Sequence, residues 1–186
     1  YPVIDAATGL LGALAIVSAL RQRDLPGSSG CFLDVSMWAS ALQLMYPFAC
    51  ETLASGQEIP RVGNKGYSGS PAADTFRCAD GWIALGANTP QHIARLLQAL
   101  DIAPAEAAPL LEPATEAATF ARARDPEGFR ALLARRIAPC SAGELEDRLN
   151  AAGVPAARVR TLREFTHEAA ASGLLAPVAL GEGEAR

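Results

Sequence analysis

Histidine and cysteine are scarce in this chain, and their scarcity removes whole classes of chemistry. Among 186 residues there are two histidines, His92 and His167, and four cysteines, Cys31, Cys50, Cys78 and Cys140. The cysteines are scattered without C-x-x-C spacing, which excludes a zinc site or a dithiol redox motif; they read as free thiols in or near a core, and the histidines as surface residues. Positive charge is also short: 16 Lys and Arg against 20 Asp and Glu give a net charge of -4. Phosphate recognition needs a concentrated basic surface, so nucleic acid is not an expected partner. No apolar run reaches the ~18 residues that a membrane crossing takes, the nearest being an Ala6–Leu20 stretch with glycines inside it. A membrane is therefore not expected either. The 186 residues open without an initiator Met or a visible signal peptide, and the closing LGEGEAR does not read as a natural stop. The cytoplasm is the expected compartment, and the chain is expected to be a portion of a longer protein.

What is present is a core. Half of the residues are hydrophobic, ample for one good-sized domain or two small ones. After the apolar stretch, Pro26 and Gly27 stop a helix, and Phe32 to Met37 reads as a short strand. Trp38 to Leu53 reads as a long helix disturbed at Pro47. Gly, Pro, Ser and Asn dominate residues 55–74, a loop and a domain boundary. Thr75 to Ala87 reads as a hairpin with Asp80-Gly81 at a type I′ turn. Helices are expected from Thr89-Pro90 through Leu100, at 116–124, from Asp125-Pro126 to Ile137, and at 142–152 with Ser141 and Glu144 as a capping box. A strand at 156–159 and a helix at 161–171 follow, and no internal repeat is visible.

The most informative residue stands near the start. Asp5 directly precedes the apolar Ala6–Leu20 run, in which Gly9 and Ala13 would let another backbone approach. From spacing alone, Asp before an apolar helix reads as an N-cap or as a catalytic carboxylate.

The motifs around it resemble those of the class III CoA-transferases, the CaiB/BaiF-type family that includes the formyl-CoA and carnitine CoA-transferases. The matching residues are Pro2, Asp5, Thr8, Gly9, Ala19, Leu20, Arg23, Gly27, Gly30, Asp34, Val35 and Ser36, followed by DTFRCADGWIALGA and AAGVPAARVRTLREF, in the family's order. Cys31 departs from the Gln usual after the Gly. The resemblance implies an α/β fold: part of a nucleotide-fold large domain with an inserted small α+β domain, in an interlocked homodimer. It places residues 1–60 in the large domain with the catalytic Asp and a linker helix, 61–155 in the small domain, and 156–186 on the return toward the large one.

The resemblance further implies that Asp5 is a nucleophile, moving CoA between an acyl-CoA thioester and a small carboxylic acid through a mixed anhydride and an enzyme thioester. Coenzyme A is then a substrate, and no metal or other cofactor is required. The segment 63–71 aligns with a glycine-rich loop that covers the reacting acyl group, which makes Gly66, Ser68 and Gly69 candidate substrate-binding residues; the alternative is a surface linker. Asp34 and Ser36 are expected to satisfy backbone groups at a strand end. Arg158, Arg160 and Arg163 read as a CoA-phosphate contact, a partner contact or, beside Glu164 and Glu168, a solvated charged face. Without the family's N-terminal half, where most CoA contacts reside, the 186 residues alone are expected to be inactive. An α-methylacyl-CoA racemase of the same family is one alternative, although Ala6-Ala7 and Thr89 stand where that branch carries glycines and a Glu. A non-catalytic helical interaction module is the other.

Overall fold

The computed structural model describes residues 2–63, 65, 66, 68–115 and 118–175. The chain divides into two compact units, Tyr1–Arg61 and Val62–Arg186.

The first unit is helical. Its α1 spans Val3–Arg23, and α2 (Met37–Leu44), which lies against it, is followed by α3 (Tyr46–Ser55). The long helix expected over 38–53 is broken at Met45. Pro47 cannot donate a backbone hydrogen bond, so a new helix starts just before it, with the proline in the first turn where no donor is needed. No strand forms at 32–36: backbone groups there would need a neighbouring strand, and the described residues of this unit contain none. Ser36 instead caps α2, its Oγ accepting from the N–H groups of Trp38 (3.1 Å) and Ala39 (3.4 Å). It satisfies backbone groups as expected, at a helix start rather than a strand end. Gly56, at φ 67°, closes α3 with its N–H on the Thr52 carbonyl (2.8 Å). No residue of α1 is buried, and nothing lies within 4 Å of where a Cβ on Gly9 would sit. The close backbone approach expected there is not made among the described residues. Cys31 and Cys50 are exposed as well, against the expectation of core thiols.

The second unit holds the core. Three antiparallel strands, β1 (Thr75–Arg77), β2 (Trp82–Leu85) and β3 (Ala156–Arg158), lie in the order β1-β2-β3, with Phe76 opposite Ile83 and Leu85 opposite Ala156. Alternation along β2 turns Ile83 and Leu85 inward. Against them pack Ile93, Leu96 and Leu97 of α4 (Pro90–Ala99), Phe129, Leu132, Leu133 and Ile137 of α6 (Pro126–Ile137), and Leu145 and Leu149 of α7 (Ala142–Ala151). A short α5 (Pro104–Ala107) and an outer α8 (Leu162–Ala171) complete the described elements. Mixed helices with a small antiparallel sheet are consistent with the expected α/β class.

Two local expectations fail for tertiary reasons. Residues 118–124 are not helical, although alanine-rich: Leu111 bridges Ala123, Glu112 N–H donates to the Arg122 carbonyl (3.1 Å), and Ala121 N–H donates to that of Asn88 (2.8 Å). Pairing with two other segments outweighs helix propensity there; Glu116 and Ala117, where that helix was to begin, lie outside the described residues. At the β1–β2 turn neither Asp80 nor Gly81 has a positive φ, so the type I′ geometry is absent. The Asp80 carboxylate instead accepts from Ala142 N–H (2.7 Å) and Ser141 Oγ (2.9 Å). It caps α7 from a distant part of the chain, and Ser141 forms no capping bond of its own.

Candidate functional site

Asp5 lies inside the first turn of α1, not ahead of it. The helix is capped by Pro2, and its first intrahelical donor is Ala6 N–H, bonded to the Pro2 carbonyl (3.1 Å). The N–H groups of Val3, Ile4 and Asp5 therefore emerge from the helix end, where the local field favours an anion. Asp5 is exposed and does not cap the helix; among the described residues its carboxylate has no hydrogen-bond or ion-pair partner. Thr8 is occupied, its Oγ1 donating to the Ile4 carbonyl (2.7 Å). The arrangement is a negatively charged, sterically open oxygen nucleophile beside unspent backbone donors, the parts that attack on a carbonyl needs.

Gly66, Ser68 and Gly69 sit in the second unit, in the approach to β1, and form a small built structure. Gly66 N–H donates to the Ala73 carbonyl (2.7 Å), and a Cβ on Gly66 would lie 2.7 Å from the Ala73 Cβ. Gly69 has φ 67°, and its N–H donates to the Gly66 carbonyl (3.2 Å). Ser68 is buried; its Oγ donates to Asn88 Oδ1 (2.6 Å) and accepts from Ser70 N–H (3.2 Å). Its carbonyl accepts from Arg122 Nη1 (3.3 Å). Ser70, also buried, donates to the Ala87 carbonyl (2.7 Å). Glycine is thus required by close approach at 66 and by a left-handed backbone at 69. The sequence reading missed Asn88 and Arg122. Asn88 was hidden beside a helix start and Arg122 within a stretch that reads as helical, and no local signal ties either to position 68.

Next to this loop, Asp74 Oδ2 accepts from Arg130 Nε at 2.8 Å, its side chain only 10% exposed, while the Arg130 guanidinium lies 5.4 Å from the centre of the Phe76 ring. This pair anchors the end of the loop to α6. A separate, mostly apolar cavity of about 350 Å³ lies among α4, α5 and residues 111–115 and 118–122, Arg122 among its lining.

Two of the three arginines of the basic cluster, Arg158 and Arg160, form an ion-pair network. Arg160 donates to both Glu146 oxygens (2.9 and 3.0 Å) and to Glu168, and Arg158 pairs with Glu168, Glu164 and Glu146. Hydrogen bonds to Glu146 and then Glu168 hold the Arg160 guanidinium more firmly protonated than usual, and those from Arg160 and Arg158 lower the Glu168 carboxyl. Glu164 is lowered chiefly by the Thr161 backbone N–H, as half of a capping box that begins α8. The charges of Arg158 and Arg160 are neutralised locally, which favours the solvated-face reading over a phosphate contact. His167 is exposed, whereas His92 is half-buried, its Nδ1 shielded from water without a partner among the described residues. Burial pushes the Cys78 thiol up, with Cys140 nearby adding to it. No cluster of three His, Cys, Asp or Glu suited to a metal occurs among the described residues.

Known proteins are similar to this chain in sequence and in fold. A succinyl-CoA–D-citramalate CoA-transferase of Chloroflexus aurantiacus is 29% identical over 163 residues, covering 87% of this chain and 39% of that protein. The human succinyl-CoA:glutarate CoA-transferase is 32% identical over 98 residues, 53% of this chain and 22% of that protein. A crystal structure of a CAIB/BAIF family protein from Brucella suis superposes with a TM-score of 0.68 at 22% identity, covering 98% of this chain and 50% of that one. The Mycobacterium tuberculosis protein Rv3272 superposes with a TM-score of 0.65 at 24% identity, over 89% of this chain and 41% of that one. At such identities the superpositions speak for the fold alone. The chain spans less than half the length of the two CoA-transferases, and the family match runs through residues 1–186 without a break. The chain belongs to CoA-transferase family III.

Proposed function

We propose that this chain carries the nucleophile of an enzyme that moves CoA between an acyl-CoA thioester and a carboxylic acid. The observation that carries the reading is Asp5, an open carboxylate in the first turn of α1, within a chain that matches the family along its whole length. A carboxylate nucleophile needs no general base to activate it. Its oxygen attacks the thioester carbonyl carbon, and the C–S bond breaks to give an aspartyl-acyl anhydride and CoA thiolate. The thiolate then attacks the aspartyl carbonyl, expelling the donor acid and leaving an aspartyl-CoA thioester. The acceptor carboxylate attacks this thioester and releases the thiolate, which takes the acyl group from the new anhydride and regenerates Asp5. Backbone N–H groups at the helix start stabilise the oxyanions formed on the way.

Gly66, Ser68 and Gly69 belong to the segment that contacts the acyl portion and keeps water from the anhydride. The finer architecture is part of the same proposal: residues 1–60 as a segment of a nucleotide-fold domain, 61–155 as its inserted small domain, 156–186 on the return toward the large one with β3 still paired to β2 of the small sheet, two subunits interlocked, and a cytoplasmic location. So is the inactivity of the 186 residues without the remainder of such a subunit.

Trapping tests this. The intact protein, given acyl-CoA without acceptor, is expected to yield hydroxylamine-sensitive modification of Asp5, read by peptide mass spectrometry as a hydroxamate. Asp5→Asn is expected to abolish both trapping and transfer. Exchange of the α-proton of a 2-methylacyl-CoA with solvent, Asp5 staying unmodified, would assign the chain to racemase chemistry instead.

A further inference from the structure

Ser68 is gripped by two residues outside the loop, Arg122 at its carbonyl and Asn88 at its hydroxyl. A trans peptide is planar, with its C=O and N–H pointing in opposite directions. Arg122 Nη1 holds the Ser68 carbonyl at 3.3 Å, which turns the Gly69 N–H toward the Gly66 carbonyl, where it donates at 3.2 Å. Asn88 Oδ1 fixes the Ser68 side chain at 2.6 Å, and the Asn88 carbonyl takes the N–H of Ala121, the neighbour of Arg122, at 2.8 Å. The two grips are therefore one unit, joined backbone to backbone. Arg122 is free to serve it, since no carboxylate among the described residues pairs with it. Gly69 makes the approach possible: a Cβ there would lie 2.6 Å from Arg122 Nη1.

We propose that Asn88 and Arg122 are positioning residues that clamp the Gly66–Gly69 turn in the one shape that shields the reacting acyl group from water. This rests on the functional reading above. An anhydride or thioester intermediate partitions between the acceptor and water, and a turn free to open shifts that partition toward hydrolysis. Neither residue touches the reacting atoms; they act through the Ser68–Gly69 peptide.

The test compares Arg122→Ala with Arg122→Lys, which keeps a charged donor, and Asn88→Ala with Asn88→Asp, which keeps the acceptor. Two quantities are read on the intact protein: amide hydrogen exchange in the 66–73 peptide, and the share of acyl-CoA lost to water rather than transferred. Each alanine variant is expected to speed exchange roughly fivefold, the effect of losing about one net hydrogen bond on a local opening. It should also raise the hydrolysed share and lower kcat for transfer at unchanged KM for acyl-CoA, with partial rescue by Lys and Asp. Unchanged exchange or unchanged partitioning in folded Arg122→Ala overturns the clamp. If that variant does not fold, Ser68→Ala removes a single hydroxyl and is held to the same two readouts. Wild-type protein without CoA transfer would instead remove the functional reading, leaving the exchange rates to judge the clamp.

Discussion

The Asp80 carboxylate shows how much one side chain does once the chain is folded. It satisfies the Ala142 N–H at the start of α7 and the Ser141 hydroxyl, and the first of these bonds is the chief reason its carboxyl is held below the ordinary range. A group depressed on folding contributes stability that is full above its unfolded pKa and is lost as pH falls through the folded one. Asp80→Ala should therefore lower Tm at neutral pH, and the gap from wild type should begin to narrow as pH falls below about 4, where the unfolded carboxylate protonates, and close only once the lower folded-state value has been passed. Melting curves at a series of pH values read this; a gap independent of pH would mean that the charge is not what caps α7. Asp5 is the contrasting case. With no partner among the described residues, it is not held by any bond that its replacement would break. Asp5→Asn should leave Tm within a degree or so of wild type, as surface substitutions usually do, while transfer is lost.

At the scale of elements, the 66–73 segment behaves as a packed turn rather than a slack linker. Its packing gives substitutions at 66 and 69 a cost in stability. A methyl on Gly66 meets the Ala73 Cβ at 2.7 Å across a short backbone bond, so Gly66→Ala should cost about 1–3 kcal/mol by overpacking. Adding Ala73→Gly should recover most of that loss, and should not rescue Gly69→Ala, whose cost of roughly 1–2 kcal/mol from the left-handed backbone is joined by the contact of its Cβ with Arg122 Nη1. Urea denaturation of the single and double variants measures the coupling; additive costs at 66 and 73 would mean that the two methyls do not compete for one space. The same packing explains why residues 118–124 are not helical. Ala121 and Arg122 are used to brace Asn88 and the loop, a demand that local alanine content cannot announce.

At the scale of the molecule, the first unit is the anomaly. Leu10 is 75% exposed and Leu14 and Val17 are each 64% exposed, all on α1, which is 21 residues long and apolar enough to cross a membrane by length and composition. Counting only the uninterrupted run had put it below that threshold; Asp5 and the two terminal arginines extend the helix without ending its apolar character. A contiguous exposed apolar surface drives association. The 186-residue chain is expected to self-associate with rising concentration, and Leu10→Glu with Leu14→Glu to suppress it without changing the melting of the second unit. Sedimentation across a concentration series checks this. Association undiminished by the two substitutions would place the contact elsewhere.

Residues 2–36 and two later motifs were enough to identify the family, and helix starts at Thr89-Pro90 and Asp125-Pro126 were legible because their signals are local: each cap accepts from an N–H three residues on. The Phe76, Ile83, Leu96, Leu133 and Leu149 core was equally readable in kind, since period-two and helical apolar spacing require a face to bury. What tertiary structure alone decided are the bonds between residues far apart in the chain. Asp80 capping α7, Asn88 and Arg122 gripping Ser68, and Arg160 neutralised by Glu146 and Glu168 depend on which segments the fold sets side by side. A short polar side chain carries the same sequence signal whether it turns a hairpin or caps a distant helix, and only its neighbours in space distinguish the two.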